Sequence, residues 1–284
     1  MREGTLNIPA LLKEHGIKPR KSLGQNFLVD PYALRKIVEA AEITKETTVL
    51  EIGPGLGSLT RLLASESKSV VAVELDEALI PILQKNIAPY KNVQIIYGDI
   101  LKVNPADLVE EQGYIVVGNI PYYITSAVIR HLLESGKKPA RLVLTVQQEV
   151  ARRICASPGD YSLLALSVQV YGQPHLTVRI PAGAFYPAPK VDSITVRVDL
   201  YSHPLIPEQQ INNFFELARA GFSQKRKTLR NALAGGLGWS GSKAARIIDL
   251  AGIEPNRRAE TLNLKEWGAL TEIYMREMIT ETNN

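Results

Sequence analysis

Asn119-Ile120-Pro121-Tyr122 sets a carboxamide, a rigid bend and an aromatic ring directly after the apolar run 114–118 (YIVVG). The amide oxygen of Asn119 and a nearby main-chain carbonyl can accept the two hydrogens of an exocyclic amine. Tyr122 can stack on the flat ring that carries the amine, a contact worth roughly 1–3 kcal/mol per base. The same tetrapeptide also suits a strand-ending turn, because Asn and Pro favour turns. The residues upstream separate the two readings.

Residues 49–57 (VLEIGPGLG) read as a strand entering a glycine-rich turn, with a helix behind it. Glycines let a backbone turn sharply and approach a ligand closely, and the following helix offers free N–H groups. The G-x-G-x-G spacing, which includes Gly53 and Gly55, lacks the pattern of a dinucleotide site, and the chain has no Gly-Lys-Ser/Thr phosphate loop. Glu51 stands just before the turn, where a pyrophosphate would be repelled. A cationic or uncharged ligand portion is favoured there, as in S-adenosylmethionine. Glu74 ends the next apolar run, and a carboxylate at that position can accept both ribose hydroxyls. Asp76 competes for this role but is better placed to cap the following helix. Asp99 ends a third run and can accept an adenine amine, with Ile100 packing on the ring. Carboxyl ends of successive parallel strands converge on one crevice, so these groups reinforce one another.

Strands that carry such groups must alternate with helices. The apolar runs 48–52, 70–74, 93–97, 114–118 and 142–146 read as strands, and 59–65, 77–88 and 126–134 as helices. That order predicts a parallel sheet covered on both faces. Asp30-Pro31 predicts a helix start, with Leu34, Ile37, Val38 and Ala41 at helical spacing. Runs 163–170 and 194–200 are expected as an antiparallel edge pair joined by the Pro-rich loop 181–189. After Pro204 only helical patterns remain, at 208–220, 227–234, 243–251 and 264–278, the last opened by a capping box of Asn263 and Glu266. The expected division is an α/β domain over 1–203 and a small helical domain over 204–284. The first twenty-odd residues are basic and expected to be partly mobile as far as Gln25.

The chain has 284 residues, 45% of them apolar, enough for a sizeable core. Its single cysteine, Cys155, excludes an internal disulfide and reads as core filler rather than nucleophile. The four histidines lack zinc-ligand spacing, so no metal site is expected. No 18-residue apolar run could cross a bilayer, and the start has no secretory pattern, so a cytoplasmic protein is expected. The net charge of +4 is unevenly placed: nine basic residues lie between Arg219 and Arg258, against Asp249 and Glu254. Such an excess can attract a polyanion, and it can equally be a solvated helix face.

With these motifs in order, the chain resembles the S-adenosylmethionine-dependent ribosomal RNA adenine dimethyltransferases, nearly end to end. The matching runs are 23–28 (LGQNFL), 51–57 (EIGPGLG), 73–76 (VELD), Gly98-Asp99, 119–122 (NIPY) and 146–150 (VQQEV), then 185–193 (FYPAPKVDS), 222–231 (FSQKRKTLRN) and 257–262 (RRAETL). Within the family it is most similar to the bacterial type that dimethylates two adjacent adenosines near the 3′ end of 16S RNA.

The resemblance implies a Rossmann-like methyltransferase domain with a mostly parallel seven-stranded sheet and a helical C-terminal domain. It implies S-adenosylmethionine as cofactor, held by Asn26, Leu28, Gly53, Gly55, Glu74, Asp99, Ile100 and Asn119. Asn119, Pro121 and Tyr122 then form the catalytic motif, and Phe185 flanks the target adenine opposite Tyr122. Lys225, Arg226, Lys227, Arg230, Arg257 and Arg258 are implied as RNA contacts, with Lys190 a further candidate. The expected partner is 16S rRNA within the assembling small subunit, met by a monomer. Ile120 replaces the more usual Leu, and Gln224 and Lys225 stand where the family often has arginine. Methylation of 23S RNA, methylation of DNA adenine and a non-catalytic assembly role are the competing readings.

Overall fold

A computed structural model describes residues 5–121 and 124–282. By internal contact the chain falls into two units. One runs as far as Arg152 and includes Pro174–Leu200; the other comprises Arg153–Gln173 and the chain from Tyr201. The boundary expected at 203/204 lies three residues from the observed break at 200/201, and 153–173 group with the helical unit.

The first unit is built on strands β1 (Phe27–Leu28), β2 (Thr48–Ile52), β3 (Ser69–Glu74), β4 (Val93–Tyr97), β5 (Ile115–Asn119), β6 (Arg141–Gln147), β7 (Gly172–Ile180), β8 (Phe185–Tyr186) and β9 (Ser193–Leu200). Seven form one sheet in the order β4-β3-β2-β5-β6-β9-β7. Neighbours from β4 through β6 are parallel, and β9 runs antiparallel to β6. β2, β3 and β5 are buried at nearly every position, as continuous apolar strands covered on both faces must be. The helices of this unit are α1 (Ile8–Glu14), α2 (Pro31–Ala41), α3 (Ser58–Glu66), α4 (Ile80–Ile87), α5 (Pro105–Leu108), α6 (Thr125–Leu133) and most of α7 (Gln148–Ile154). Asp30 caps α2 by accepting from the Ala33 N–H at 2.7 Å, and Leu34, Ile37 and Ala41 are buried.

Three sequence expectations need correction. Residues 163–170 are not a strand: α8 (Leu163–Gln169) occupies them, with the Ser162 hydroxyl accepting from the Ala165 N–H at 3.3 Å. A serine cap followed by Leu-Leu-Ala-Leu is a helix start, and the apolar density there is core packing rather than β pattern. The strand that borders β9 is instead β7, an edge strand of largely exposed residues in which Pro174 is tolerated. The amino-terminal segment from Leu6 to Ile17 is packed. Asn7 caps α1, and Ile8 and Leu12 join Phe27, Leu56, Leu79 and Ile82 in one apolar cluster.

The second unit contains α8 and the helices α9 (Ile211–Phe222), α10 (Leu229–Leu237), α11 (Gly241–Leu250) and α12 (Leu264–Thr282). The predicted capping box is formed: the Glu266 N–H donates to Asn263 Oδ1 at 3.0 Å and the Asn263 N–H to Glu266 Oε2 at 2.8 Å. Trp267 is fully buried, stacked on Phe222 at 5.9 Å and edge-on to Phe214. α10 crosses α9 at Gly236, where a Cβ would lie 2.7 Å from that of Ala220. Cys155 is half-buried in this unit, and burial pushes its thiol up to about 11, away from thiolate chemistry. No helix among the described residues is long and apolar enough to cross a membrane.

Candidate active site

β2 is flanked by β3 and β5, so its carboxyl end opens between two neighbouring strand ends. The chain leaves β2 through Gly53 and Gly55 with φ of 69° and 58°, a left-handed turn that side chains disfavour. Gly55 has a second constraint: a Cβ there would stand 3.0 Å from the Phe27 ring, which lies across the turn.

A cleft of about 1140 Å³, open to solvent, lies over these strand ends. Asn26, Leu28, Gly53, Gly55, Glu74, Asp99, Ile100, Asn119 and Pro121 all line it, so the structure gathers the whole set of sequence-predicted cofactor residues at one place. Ile8, Gln25 and the half-exposed Leu75 line it too and were not foreseen. Asn7-Ile8-Pro9 carried the same cap-and-proline signal as Asp30-Pro31, which would have placed Ile8 on a packed helix.

Two carboxyls shape the electrostatics. Glu51 is 1% exposed and its Oε2 has no hydrogen-bond partner among the described residues. Burial pushes its acid up to about 8; the Thr60 hydroxyl beside it opposes the shift without reaching hydrogen-bond geometry, and the Glu74 charge adds to it. Glu74 is also raised, chiefly by burial, against the pull of the main-chain N–H groups of Asp76, Gly55 and Leu75. The Gly55 N–H reaches its Oε2 at 2.9 Å and the Asp76 N–H its Oε1 at 2.8 Å. Each Glu74 oxygen keeps a lone pair for a further donor. Asp99 spends Oδ1 on the Leu101 N–H at 3.0 Å. Asp76 caps the turn after β3, as the alternative reading of that residue had it.

Asn119 ends β5. Its Nδ2 donates to the carbonyl of Asn26 at 2.9 Å, which fixes the amide orientation because a carbonyl only accepts. The Pro121 carbonyl already accepts from the Ile124 N–H at 3.1 Å. Tyr122 lies outside the described residues.

Phe185 does not line the cleft. It is 4% exposed and packs in the core with Leu28 and Leu34, and its strand β8 pairs antiparallel with β1 so that Phe185 faces Leu28 and Tyr186 faces Phe27. A ring held there supports β1, and the expectation that it flanks the target opposite Tyr122 is left to experiment.

The basic residues divide by environment. Lys225, Arg226, Lys227 and Arg230 are exposed around the α9–α10 turn and form no ion pair among the described residues, and Lys190 is exposed in the loop after β8. Arg258 is exposed and 3.8 Å from Glu260. Arg257 is half-buried and committed: it pairs with Glu266 and donates to the Thr261 carbonyl at 2.6 Å.

Residues 16–275 match the family described as ribosomal RNA adenine dimethylase. The chain belongs to the ribosomal RNA adenine dimethylase family. It is 46% identical over 276 residues to the ribosomal RNA small subunit methyltransferase A of Dehalococcoides mccartyi, spanning 95% of each chain. To that of Moorella thermoacetica it is 44% identical, over 92% of this chain and 94% of the relative. Among solved structures, a dimethyladenosine transferase from Plasmodium falciparum aligns with a TM-score of 0.78 at 25% identity, covering 89% of this chain and 98% of that one. The 23S rRNA methyltransferase ErmE aligns with a TM-score of 0.69 at 26% identity, covering 87% and 99%. This dimethylase-family chain is thus an rRNA adenine dimethyltransferase on a Rossmann-like sheet. The donor set suits the cofactor use that membership implies: a buried carboxyl with an idle oxygen for a cationic portion, and the Glu74 lone pairs for hydroxyl donors.

Proposed function

We propose that this enzyme transfers methyl groups from S-adenosylmethionine to N6 of two adjacent adenosines near the 3′ end of 16S rRNA, giving N6,N6-dimethyladenosines. The reading is carried by the Asn119 carboxamide, whose nitrogen donates to the Asn26 carbonyl so that the oxygen is turned to accept in the cleft.

When bound, S-adenosylmethionine supplies a methyl group activated by a sulfonium centre. Glu51 and the glycine turn face its methionine portion, Glu74 accepts from the ribose, and Asp99 accepts from the adenine amine while Ile100 and Leu75 enclose that ring. Asn26 and Leu28 close over it from β1 and the segment before it.

The N6 lone pair of adenine is delocalised into its ring, which makes the amine a poor nucleophile. Asn119 Oδ1 and one main-chain carbonyl accept its two N–H bonds and favour a pyramidal nitrogen. Because the Pro121 carbonyl already takes two donors, the Ile124 N–H at 3.1 Å and the Thr125 hydroxyl at 3.5 Å, that second acceptor is Ile120. Positioning and stabilisation of developing positive charge do most of the work. No base is needed before attack, since the methylated nitrogen turns acidic and loses its proton afterwards. A monomethylated amine brings one N–H fewer, so a single acceptor suffices in the second round. The target base must leave its stack, at a few kcal/mol, which stacking on Tyr122 offsets.

Lys190, Lys225, Arg226, Lys227, Arg230 and Arg258 contact RNA phosphates, while Arg257 supports them by holding its loop. The substrate is the assembling small subunit, bound by a monomer in the cytoplasm. The likeness to a 23S rRNA methyltransferase supports large-subunit RNA as the second reading. Incubation with labelled cofactor and either undermethylated small subunits or protein-free 23S RNA, followed by mapping of modified adenosines, decides between them. Label at two adjacent adenosines of 16S RNA is expected, and label confined to 23S RNA would overturn the assignment.

A further inference from the structure

Asp76 is more fully used than a turn cap requires. Its side chain is 1% exposed, yet it lies behind the cleft rather than in its lining. Oδ1 accepts from the Ala78 N–H at 3.2 Å and pairs with Arg20 Nη1 at 3.1 Å. Oδ2 accepts from Gln25 Nε2 at 2.7 Å. Capping needs only one of these contacts.

The two residues it reaches are also tied to each other. The Arg20 N–H donates to Gln25 Oε1 at 2.7 Å, and the Gln25 N–H returns to the Arg20 carbonyl at 3.3 Å. Among the hydrogen bonds and ion pairs of the described residues, 20–25 is therefore a closed loop that reaches outside itself at Asp76. The next residue is Asn26, whose carbonyl takes the Asn119 amide. Phe27 then sits against Gly55, and Leu28 pairs with Phe185.

We propose that Asp76 is a positioning residue for methyl transfer: by clasping Gln25 and Arg20 it holds residues 20–28 over the cleft and fixes the Asn26 carbonyl that aims the Asn119 oxygen. The coupling crosses from the end of β3 to the end of β5 through a segment that belongs to neither. The kinetic side of this inference rests on the function proposed above; the structural side does not.

Reversing the hydrogen-bond polarity tests it. D76N keeps an oxygen for the Ala78 N–H but turns a second amide against the Gln25 amide, so two donors meet. Q25E sets two carboxylates together. In the D76N/Q25E double variant, the amide at 76 donates to the carboxylate at 25, which still accepts from the Arg20 N–H, and the net charge equals that of the wild type.

Four quantities are measured on the full-length protein: hydrogen exchange across residues 20–28 without cofactor, thermal midpoint, cofactor affinity, and kcat on undermethylated small subunits at saturating cofactor. Each single variant is expected to exchange faster at 20–28 and to lose about tenfold in kcat, and the double to recover to within about threefold of wild type. A merely structural role would move the thermal midpoint without this reciprocal rescue. Wild-type exchange and turnover in the singles, or a double no better than the worse single, overturns the proposal. So does a fall in cofactor affinity with unchanged kcat, which would make the clasp a cofactor latch only. If the wild type methylates no RNA, the proposed function fails, while the exchange measurements still decide whether the clasp exists.

Discussion

Asn119 Nδ2 donates a 2.9 Å hydrogen bond to the carbonyl of Asn26, a residue 93 positions earlier in the chain. That bond leaves the amide oxygen as the free acceptor. Asn119→Ala is expected to lower kcat by on the order of 10²–10³, as loss of one preorganised polar group typically does. Cofactor affinity should stay within about threefold, since most of the cleft lining is untouched. Single-turnover methylation and calorimetric cofactor titration check the two halves. Asn119→Asp removes the donor to Asn26 while keeping an acceptor, and a wild-type rate in that variant would show that the fixed orientation is unimportant.

Glu51 should make stability and cofactor binding depend on pH. Burial pushes its folded-state carboxyl up to about 8, above the ordinary carboxyl range, so between the two values the folded state holds a proton that the unfolded chain has lost. Stability from this group is therefore present at low pH and declines as pH rises, by at most about 1.4 kcal/mol per pH unit between the unfolded value and about 8. Glu74, raised in the same direction, adds to the decline. Glu51→Gln should flatten the dependence of the thermal midpoint on pH and stabilise the cofactor-free protein at pH 8. The same variant should bind S-adenosylmethionine more weakly. Wild-type protein at pH 7 should release up to one proton on binding, measured by calorimetry in buffers of different ionisation enthalpy.

Basic residues in the helical unit should separate into two behaviours. Substituting Lys225, Arg226 and Lys227 together by Ala should leave the thermal midpoint unchanged and reduce the salt slope of RNA affinity by about 2, at roughly 0.7 per single-strand phosphate contact. Arg257→Ala should instead destabilise by about 1–2 kcal/mol, because it breaks a partly exposed pair with Glu266 and leaves the Thr261 carbonyl without its donor. Arg257 also holds the Glu266 carboxyl below the usual range, so this contribution is present above that range and fades as acid protonates Glu266. Salt titrations of binding, paired with thermal melts from pH 3 to 7, test the contrast.

Neighbouring glycines in α10 should differ sharply. Gly236→Ala would drive a Cβ to within 2.8 Å of the Ala220 backbone, which no rotamer change relieves. A loss of about 1–3 kcal/mol is expected from such overpacking. Gly235→Ala meets only the far end of Gln224 at 3.3 Å and should be neutral or stabilising by up to about 1 kcal/mol, from helix propensity. Denaturant melts of the two variants give the comparison.

Phe185→Leu distinguishes packing from stacking. The leucine keeps an apolar side chain against Leu28 and Leu34, so turnover within about threefold of wild type is expected, with a modest loss of stability. A large fall in kcat with an intact fold would return the ring to the target base.

The central sheet, its glycine turn and the capping box at Asn263 were legible in the linear chain because each is specified by neighbours. A buried parallel strand is an unbroken apolar run, a left-handed turn needs glycine, and a cap sits three residues from the N–H that donates to it. For the same reason Glu51, Glu74, Asp99 and Asn119 could be assigned to one crevice: parallel strands bring their carboxyl ends together whatever the loops do. Family resemblance added the LGQNFL and FYPAPK runs, but not their contact.

What required the folded chain is long-range and individually weak. The two-residue pairing of β1 with β8, the docking of α1 on Leu56 and Leu79, the clasp of Asp76 on Gln25, and the inward turn of Phe185 each depend on which surfaces meet. β7 escaped notice because an edge strand can be exposed and carry a proline, and α8 because four adjacent apolar residues fit either period. Local chemistry chose the groups that line the cleft; only tertiary packing chose which of them is aimed, and by what.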